Sequence, residues 1–350
     1  MPDLVAHAAG RSDRGRVREV NEDRVLVLDD VGHGAALYAV ADGLGGHAGG
    51  DVASTLAVET LETQVRVLLG QRIPPEAALV EALRRTNAAI YAGAQGSDRP
   101  GMATTCTAVL LRGSEAIVAH VGDSRAYLLR GPQTRQLTID HSLAGELARH
   151  GELADGDVRN HAQRHVLTRA LGTAREVEID SASEPLRPGD VLVLTTDGLH
   201  NAVPADEIGR VVRSARELDE ACAVLVGLAN ARGGVDNASA VVVRVSAGWP
   251  GRALRAMAPL VLAAFVAGGL AAYRLEHAYF LGIRGDRVAV MRGVPGRVLG
   301  VSLSGVMKIT QVPVTRVPPA YRGPLSRGIP TPSPEAAETI LRGLLSSGAR

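Results

Sequence analysis

One lysine, two cysteines, one tryptophan and almost no net charge mark this chain, and several of these shortages remove a class of function. Lysine and arginine total 38 against 37 aspartates and glutamates, so the formal charge of +1 suggests neither nucleic acid nor an acidic polymer as partner. Cys106 and Cys222 lie in apolar runs and read as core residues. That placement argues against thiolate catalysis, which needs an activated sulfur in a phosphate-cradling loop. No Cys/His cluster with zinc spacing occurs. The N-terminus lacks the apolar core of a signal peptide, so residues 1–250 are expected to stay cytosolic. Lys308 stands alone among many arginines, alongside abundant Ala and Gly, which reads as the nucleotide bias of a GC-rich genome. With 46% apolar residues, the chain is long enough for one large domain and something more.

What is present is a recurring arrangement in which an apolar run delivers a carboxylate to a strand end. Leu37, Tyr38 and Val40 lead to Asp42, which sits in the glycine-rich stretch Ala41–Gly50. The run Val191–Leu194 leads through two threonines to Asp197 and Gly198, and Asp236 with Asn237 precedes Ala240–Val243. Hard divalent cations take oxygen ligands from a few carboxylates and keep several waters, and glycine backbone lets a phosphate approach. Near the N-terminus, Arg18 precedes the adjacent acids Glu22 and Asp23, placing a planar phosphate-binding guanidinium beside acids able to orient water around an ion. The segment Gly122-Asp123-Ser124-Arg125 between two strand-like runs reads by itself as a hairpin turn.

Taken in order, Arg18–Asp23, Ala41–His47, Gly101–Thr105, His120–Arg125, Thr196–Leu199 and Asp236–Ser239 resemble the motifs of the metal-dependent protein phosphatases of type 2C, over roughly residues 5–246. The resemblance implies an α+β fold, a four-layer αββα sandwich of two antiparallel sheets flanked by helices. It also implies a binuclear Mn²⁺ or Mg²⁺ site. By it, Asp42 bridges both ions, Gly43 gives a backbone carbonyl to one, and Asp197 and Asp236 ligate the other. Glu22 and Asp23 hold ion-associated water, Asp123 ligates a third, weaker ion, Arg18 binds phosphate and His47 donates a proton to the leaving group. Two such ions about 3.5 to 4 Å apart activate a water and clamp the attacking and leaving oxygens of an in-line displacement, so no covalent nucleophile is required. Ala103 replaces the usual glycine of Gly-Met-Gly-Thr-Thr and Leu44 the commoner methionine; neither change removes a ligand. A non-catalytic phosphoprotein-binding or membrane receptor module on the same fold is the alternative, yet such a module should lack one of the acids, and all are here.

Helical periodicity is expected over residues 51–69 and 75–92, and strands over 105–111, 115–121, 125–130, 190–195 and 239–245. The polar stretch 140–170 corresponds to the family's variable flap beside the cleft, a place for substrate contacts. The expected organisation is a catalytic domain over 1–246, a linker over 247–256, a transmembrane helix over 257–273 and an extracytoplasmic tail over 274–350. The uncharged run Met257–Tyr273 is near the lower length limit for crossing a bilayer, with Trp249 and Tyr273 at the two interfaces. In the tail, two strand-like runs flank Gly285-Asp286 and a short helix begins near Pro334, while 312–334 fits either a small module or a disordered leash. This layout resembles the membrane-anchored type 2C phosphatases of actinobacteria. Phosphorylated Ser/Thr kinases controlling growth and cell-wall synthesis, and the targets of those kinases, are then the expected protein substrates.

Overall fold

The computed structural model describes residues 4–45, 49–95, 100–153, 161–248, 251–298 and 301–346. Contacts divide the chain into two units, Met1–Pro250 and Gly251–Arg350.

The first unit holds two antiparallel sheets. One orders its strands β2 (Asp23–Leu28), β3 (Ala35–Leu44), β5 (Cys106–Arg112), β6 (Glu115–Val121) and β9 (Asp180–Pro185), with the two-residue β4 (Ala103–Thr104) paired to the end of β3. The other runs β1 (Leu4–Asp13), β11 (Ala238–Ala247), β10 (Val191–Thr195), β7 (Arg125–Arg130) and β8 (Gln133–Gln136). Alternation along the strands explains the layering. On β3, Tyr38 and Val40 join Val109, Val118, Leu128, Leu192, Val241 and Val243 in the core between the sheets. Leu37, Ala39 and Ala41 face the other way, under α1 (Gly50–Gly70) and α2 (Pro75–Ala94), where they meet Leu61, Leu68, Leu79 and Leu83. Ala240 and Val242 likewise turn from the second sheet toward α4 (Asp197–His200), α5 (Ala205–Ser214) and α6 (Leu218–Ala231), which supply Leu199, Ile208 and Leu225. Both faces of each sheet are covered, which is why these strands read as unbroken apolar runs. The short α3 (Leu143–Arg149) lies in the flap and is capped by the Ser142 hydroxyl, which accepts from the Gly145 N–H at 3.2 Å.

The segment around Asp123 differs from the hairpin expected of it. Strand β6 pairs with β5 and β9, whereas β7 pairs with β10 and β8, so Gly122–Ser124 crosses from one sheet to the other. Gly122 makes the crossing with φ of +110°, and a Cβ there would lie 2.6 Å from Thr105 Cβ.

The second unit opens with α7 (Gly251–His277), which contains Pro259. A four-stranded sheet follows, ordered β14 (Val301–Pro313), β13 (Arg287–Val298), β12 (Tyr279–Arg284) and β15 (Ile329–Thr331). With α8 (Pro319–Arg327) and α9 (Pro334–Ser346) it encloses its own core of Leu281, Val288, Val290, Val317, Leu325, Ala337 and Leu341. The span 312–334 is therefore structured, because Val317 and Leu325 have an apolar sheet to cover, and it is not a leash. Among the described residues, no helix is long and apolar enough to cross a membrane, so the transmembrane helix expected over 257–273 is not found as such.

Candidate active site

Five segments far apart in the chain meet at one edge of the sandwich. Asp42 and Gly43 end β3, Asp197 follows β10, Asp236 precedes β11, Asp123 sits in the crossover turn, and Arg18 and Glu22 come from the loop between β1 and β2. All of them line one cavity of about 420 Å³, together with Leu44, Gly45, His165, Leu167 and Asn237. Asp23 lies beneath it, buried, and is the cross-strand partner of Asp42 on β2. His47, the expected proton donor, lies outside the described residues.

Backbone and hydroxyl groups hold Asp42 and Asp23, the Asn201 amide meets Asp197 Oδ2 at 3.3 Å, and a guanidinium holds Asp236. The Asp42 carbonyl accepts from the Thr105 N–H and the Thr104 hydroxyl, both at 2.8 Å, while its own N–H donates to Thr105 Oγ1 at 3.0 Å. Thr105 Oγ1 is in turn 2.8 Å from Ser124 Oγ. Asp23 Oδ2 accepts from Thr196 Oγ1 at 2.8 Å and Ser239 Oγ at 2.6 Å, but its buried Oδ1 has no partner. Asp236 Oδ2 meets Arg18 Nη2 at 2.8 Å. Gly43 admits no side chain, since a Cβ would stand 2.1 Å from the Gly50 carbonyl oxygen at the start of α1.

Electrostatically the cluster is one-sided. Burial and then the neighbouring carboxylates Asp23, Asp197, Asp123 and Asp236 push Asp42 well above the ordinary carboxylate range. Burial, then Asp197, raises Asp123 to about 8. Burial raises Asp23 to about 7 against the pull of its two hydroxyl donors. Asp197 is raised by burial and Asp236, and Glu22 by burial, with Arg18 opposing. Like charges held this close destabilise the fold unless a cation joins them. The donor set is all oxygen, and the orphaned Asp23 Oδ1 is a buried acceptor that lacks a donor, so the residues fit Mg²⁺ or Mn²⁺.

This chain matches the family model described as Protein phosphatase 2C over residues 10–227. It belongs to the protein phosphatase 2C family. Serine/threonine phosphatase stp of Listeria monocytogenes is 40% identical over 242 residues, covering 68% of this chain and 95% of that protein. Serine/threonine protein phosphatase PstP of Mycobacterium tuberculosis is 39% identical over 243 residues, 69% of this chain and 45% of PstP. Among solved structures, the M. tuberculosis phosphatase PstP/Ppp superposes with a TM-score of 0.62 at 37% identity, covering 69% of this chain and 99% of that one. The PstP catalytic domain in complex with two manganese ions does so with a TM-score of 0.60 at 36% identity, covering 69% and 99%. The phosphatase 2C fold of two antiparallel sheets with helices, expected from the motifs, is the fold observed, and the family uses Mn²⁺ or Mg²⁺.

Several of the phosphatase's site residues carry no recognisable sequence signal. His165, in the flap, places Nδ1 3.9 Å from Asp197 Oδ2. Asn237 stood within the Asp236–Ser239 motif without an assigned role. A second group, His120, His141 and Asp180, brings three donor atoms within 4.8 Å of one another from positions too dispersed to read as a motif. Its imidazoles stack at 4.4 Å with 25° between their planes, which sends their in-plane lone pairs side by side rather than to one point. The Gly122 N–H donates to His141 Nδ1 at 3.2 Å and Arg169 holds Asp180 at 2.7 Å, so this group ties the flap base to the crossover turn and to β9.

Proposed function

We propose that the protein hydrolyses phosphoserine and phosphothreonine in protein substrates, opposing Ser/Thr kinases. The observation that carries this reading is the convergence of Asp42, Asp123, Asp197, Asp236 and Glu22 on one cavity, with Arg18 at its rim. In this reading Asp42, the Gly43 carbonyl, Asp197 and Asp236 hold two Mn²⁺ or Mg²⁺ ions, and Asp123 a weaker third. When bound, such ions neutralise the acid cluster and activate water for in-line attack on phosphorus.

The chain's own residues supply position and charge. Arg18 is about half exposed and, among the described residues, its guanidinium has one carboxylate contact, so its remaining donors are available to pair phosphate oxygens. Asp23 and Glu22 accept hydrogen bonds from water and orient it; the unpaired Asp23 Oδ1 is suited to that task. Thr104, Thr105 and Ser124 keep Asp42 in place during turnover.

The same reading places residues 1–246 in the cytoplasm and docks α7 in a bilayer, with the tail beyond it. Supporting this, Leu260, Phe265 and Leu270 on α7 are 70, 82 and 60% exposed, an apolar surface that water disfavours. The activity test is Mn²⁺-dependent phosphate release from a phosphothreonine peptide by the full chain. Asp42→Ala and Asp236→Asn should abolish it while the fold persists, and full turnover by either variant refutes the assignment. For the membrane, the full chain should float with lipid vesicles after an alkaline wash, and protein left at the bottom of the gradient would overturn the docking of α7.

A further inference from the structure

Residues 14–22, which carry Arg18 and Glu22, form no strand or helix, yet they are fixed at both ends by one buried side chain. Asn237 Nδ2 donates to the carbonyls of Arg14 at 2.8 Å and Val20 at 3.0 Å, and its Oδ1 accepts from the Glu22 N–H at 2.8 Å. Two carbonyls and one N–H are the partners an amide satisfies; an isosteric carboxylate would set an oxygen against both carbonyls. The backbone adds to this seam. The N–H groups of Arg16 and Val17 donate to the Gly234 carbonyl at 2.7 and 3.3 Å. Gly15, at φ of +81°, lies so close that a Cβ would stand 2.3 Å from the Asp236 carbonyl oxygen. At the loop tip Arg18 reaches the Asp236 carboxylate.

We propose that Asn237 is a positioning residue for phosphate recognition: its amide locks the 14–22 loop onto the turn bearing Asp236, so that Arg18 is delivered to the phosphate side of the cavity. The inference rests on the assignment of Arg18 to phosphate made above. Asn237 acts through the loop, so its removal weakens phosphate binding in the ground state and the transition state alike, a loss that appears in KM rather than kcat.

The test uses the full chain with saturating Mn²⁺ and four variants, Asn237→Ala, Asn237→Asp, Gly15→Ala and Arg18→Ala. Asn237→Ala should raise KM for a phosphothreonine peptide and Ki for inorganic phosphate about tenfold, with kcat within about threefold. Gly15→Ala should do the same with the amide intact, because it prises the same seam apart from the other side. Combined with Arg18→Ala, Asn237→Ala should add less than about twofold, since both remove one interaction. In metal-free protein, the amides of Arg16, Val17 and Glu22 should exchange with solvent about tenfold faster in Asn237→Ala. Should Asn237→Ala fail to fold, Asn237→Asp and Gly15→Ala carry the same expectations. A folded Asn237 variant with unchanged KM and Ki, or a double variant whose effects multiply, overturns the inference while leaving Arg18 in its role. An unchanged KM in Arg18→Ala instead overturns the assignment beneath it.

Discussion

Replacing Asp23 by asparagine should stabilise the metal-free phosphatase, and the structure sets both the size and the pH dependence of the gain. Asp23 is buried beneath the cavity and stands directly across the β2–β3 pairing from Asp42. Burial, with Asp197 and Asp236 adding to it, raises its carboxyl from 3.8 to about 7. With about 1.36 kcal/mol for each tenfold change in acidity, the ionised form costs up to about 4 kcal/mol in the folded state. The folded value lies above the unfolded one, so the unfolded chain gives up its proton first as pH rises. The share of the chelated protein's stability that Asp23 contributes should therefore fall between about pH 4 and about pH 7 and then level off. The asparagine amide in Asp23→Asn would keep an oxygen for the Thr196 and Ser239 hydroxyls and drop the charge. Urea unfolding in EDTA should show the variant up to about 4 kcal/mol more stable at pH 8 and nearly equal to the parent at pH 4. Saturating Mn²⁺ should shrink or reverse the difference. Parallel pH profiles for the two proteins, or a variant less stable than the parent at pH 8, would refute the reasoning.

Three other outcomes follow from the same geometry. Arg18→Ala should tighten Mn²⁺ binding by roughly 1.4- to 5-fold in calorimetry, because a half-exposed ion pair on Asp236 worth about 0.2–1 kcal/mol no longer competes for that carboxylate; unchanged or weaker affinity would count against it. Thr105→Val removes the acceptor for the Asp42 N–H and the partner of Ser124, so it should lower stability by about 1–3 kcal/mol and weaken Mn²⁺ binding, both measurable by denaturation and calorimetry. Iodoacetamide at pH 8 should leave activity intact, since Cys106 is buried with its thiol pushed to about 12; rapid inactivation would show that a cysteine is needed after all.

Asp42, Asp197 and Asp236 were legible because each abuts an apolar run, and strands covered on both faces announce themselves in composition. All three do converge. The helices over 50–70 and 75–94 were visible for a related reason: one apolar stripe each, facing one sheet. Less could be read where pairing partners are remote. Local sequence makes Gly122–Ser124 a hairpin turn, and only the affiliation of β7 with β10 reveals a crossing between sheets. Asn237 and Thr105 matter through bonds to residues distant in the chain, which no spacing encodes. The tail stayed undecided between a small module and a leash for another reason. Proline at 313, 318, 319, 324 and 330 suggests disorder, yet Pro319 starts a helix whose Leu325 packs into an apolar core.

The crossing at Gly122–Ser124 has a mechanical consequence. Asp123 belongs to neither sheet but spans the gap between them, whereas Asp42 is anchored to one layer and Asp197 and Asp236 to the other. Any slippage of one layer over its neighbour is thereby converted into a change in carboxylate spacing at the rim. The stiffness of the Tyr38, Val40, Leu192 and Val241 packing thus governs the aperture through which ions are gripped, and a cavity cut far inside the sandwich would be felt as altered chemistry at its edge.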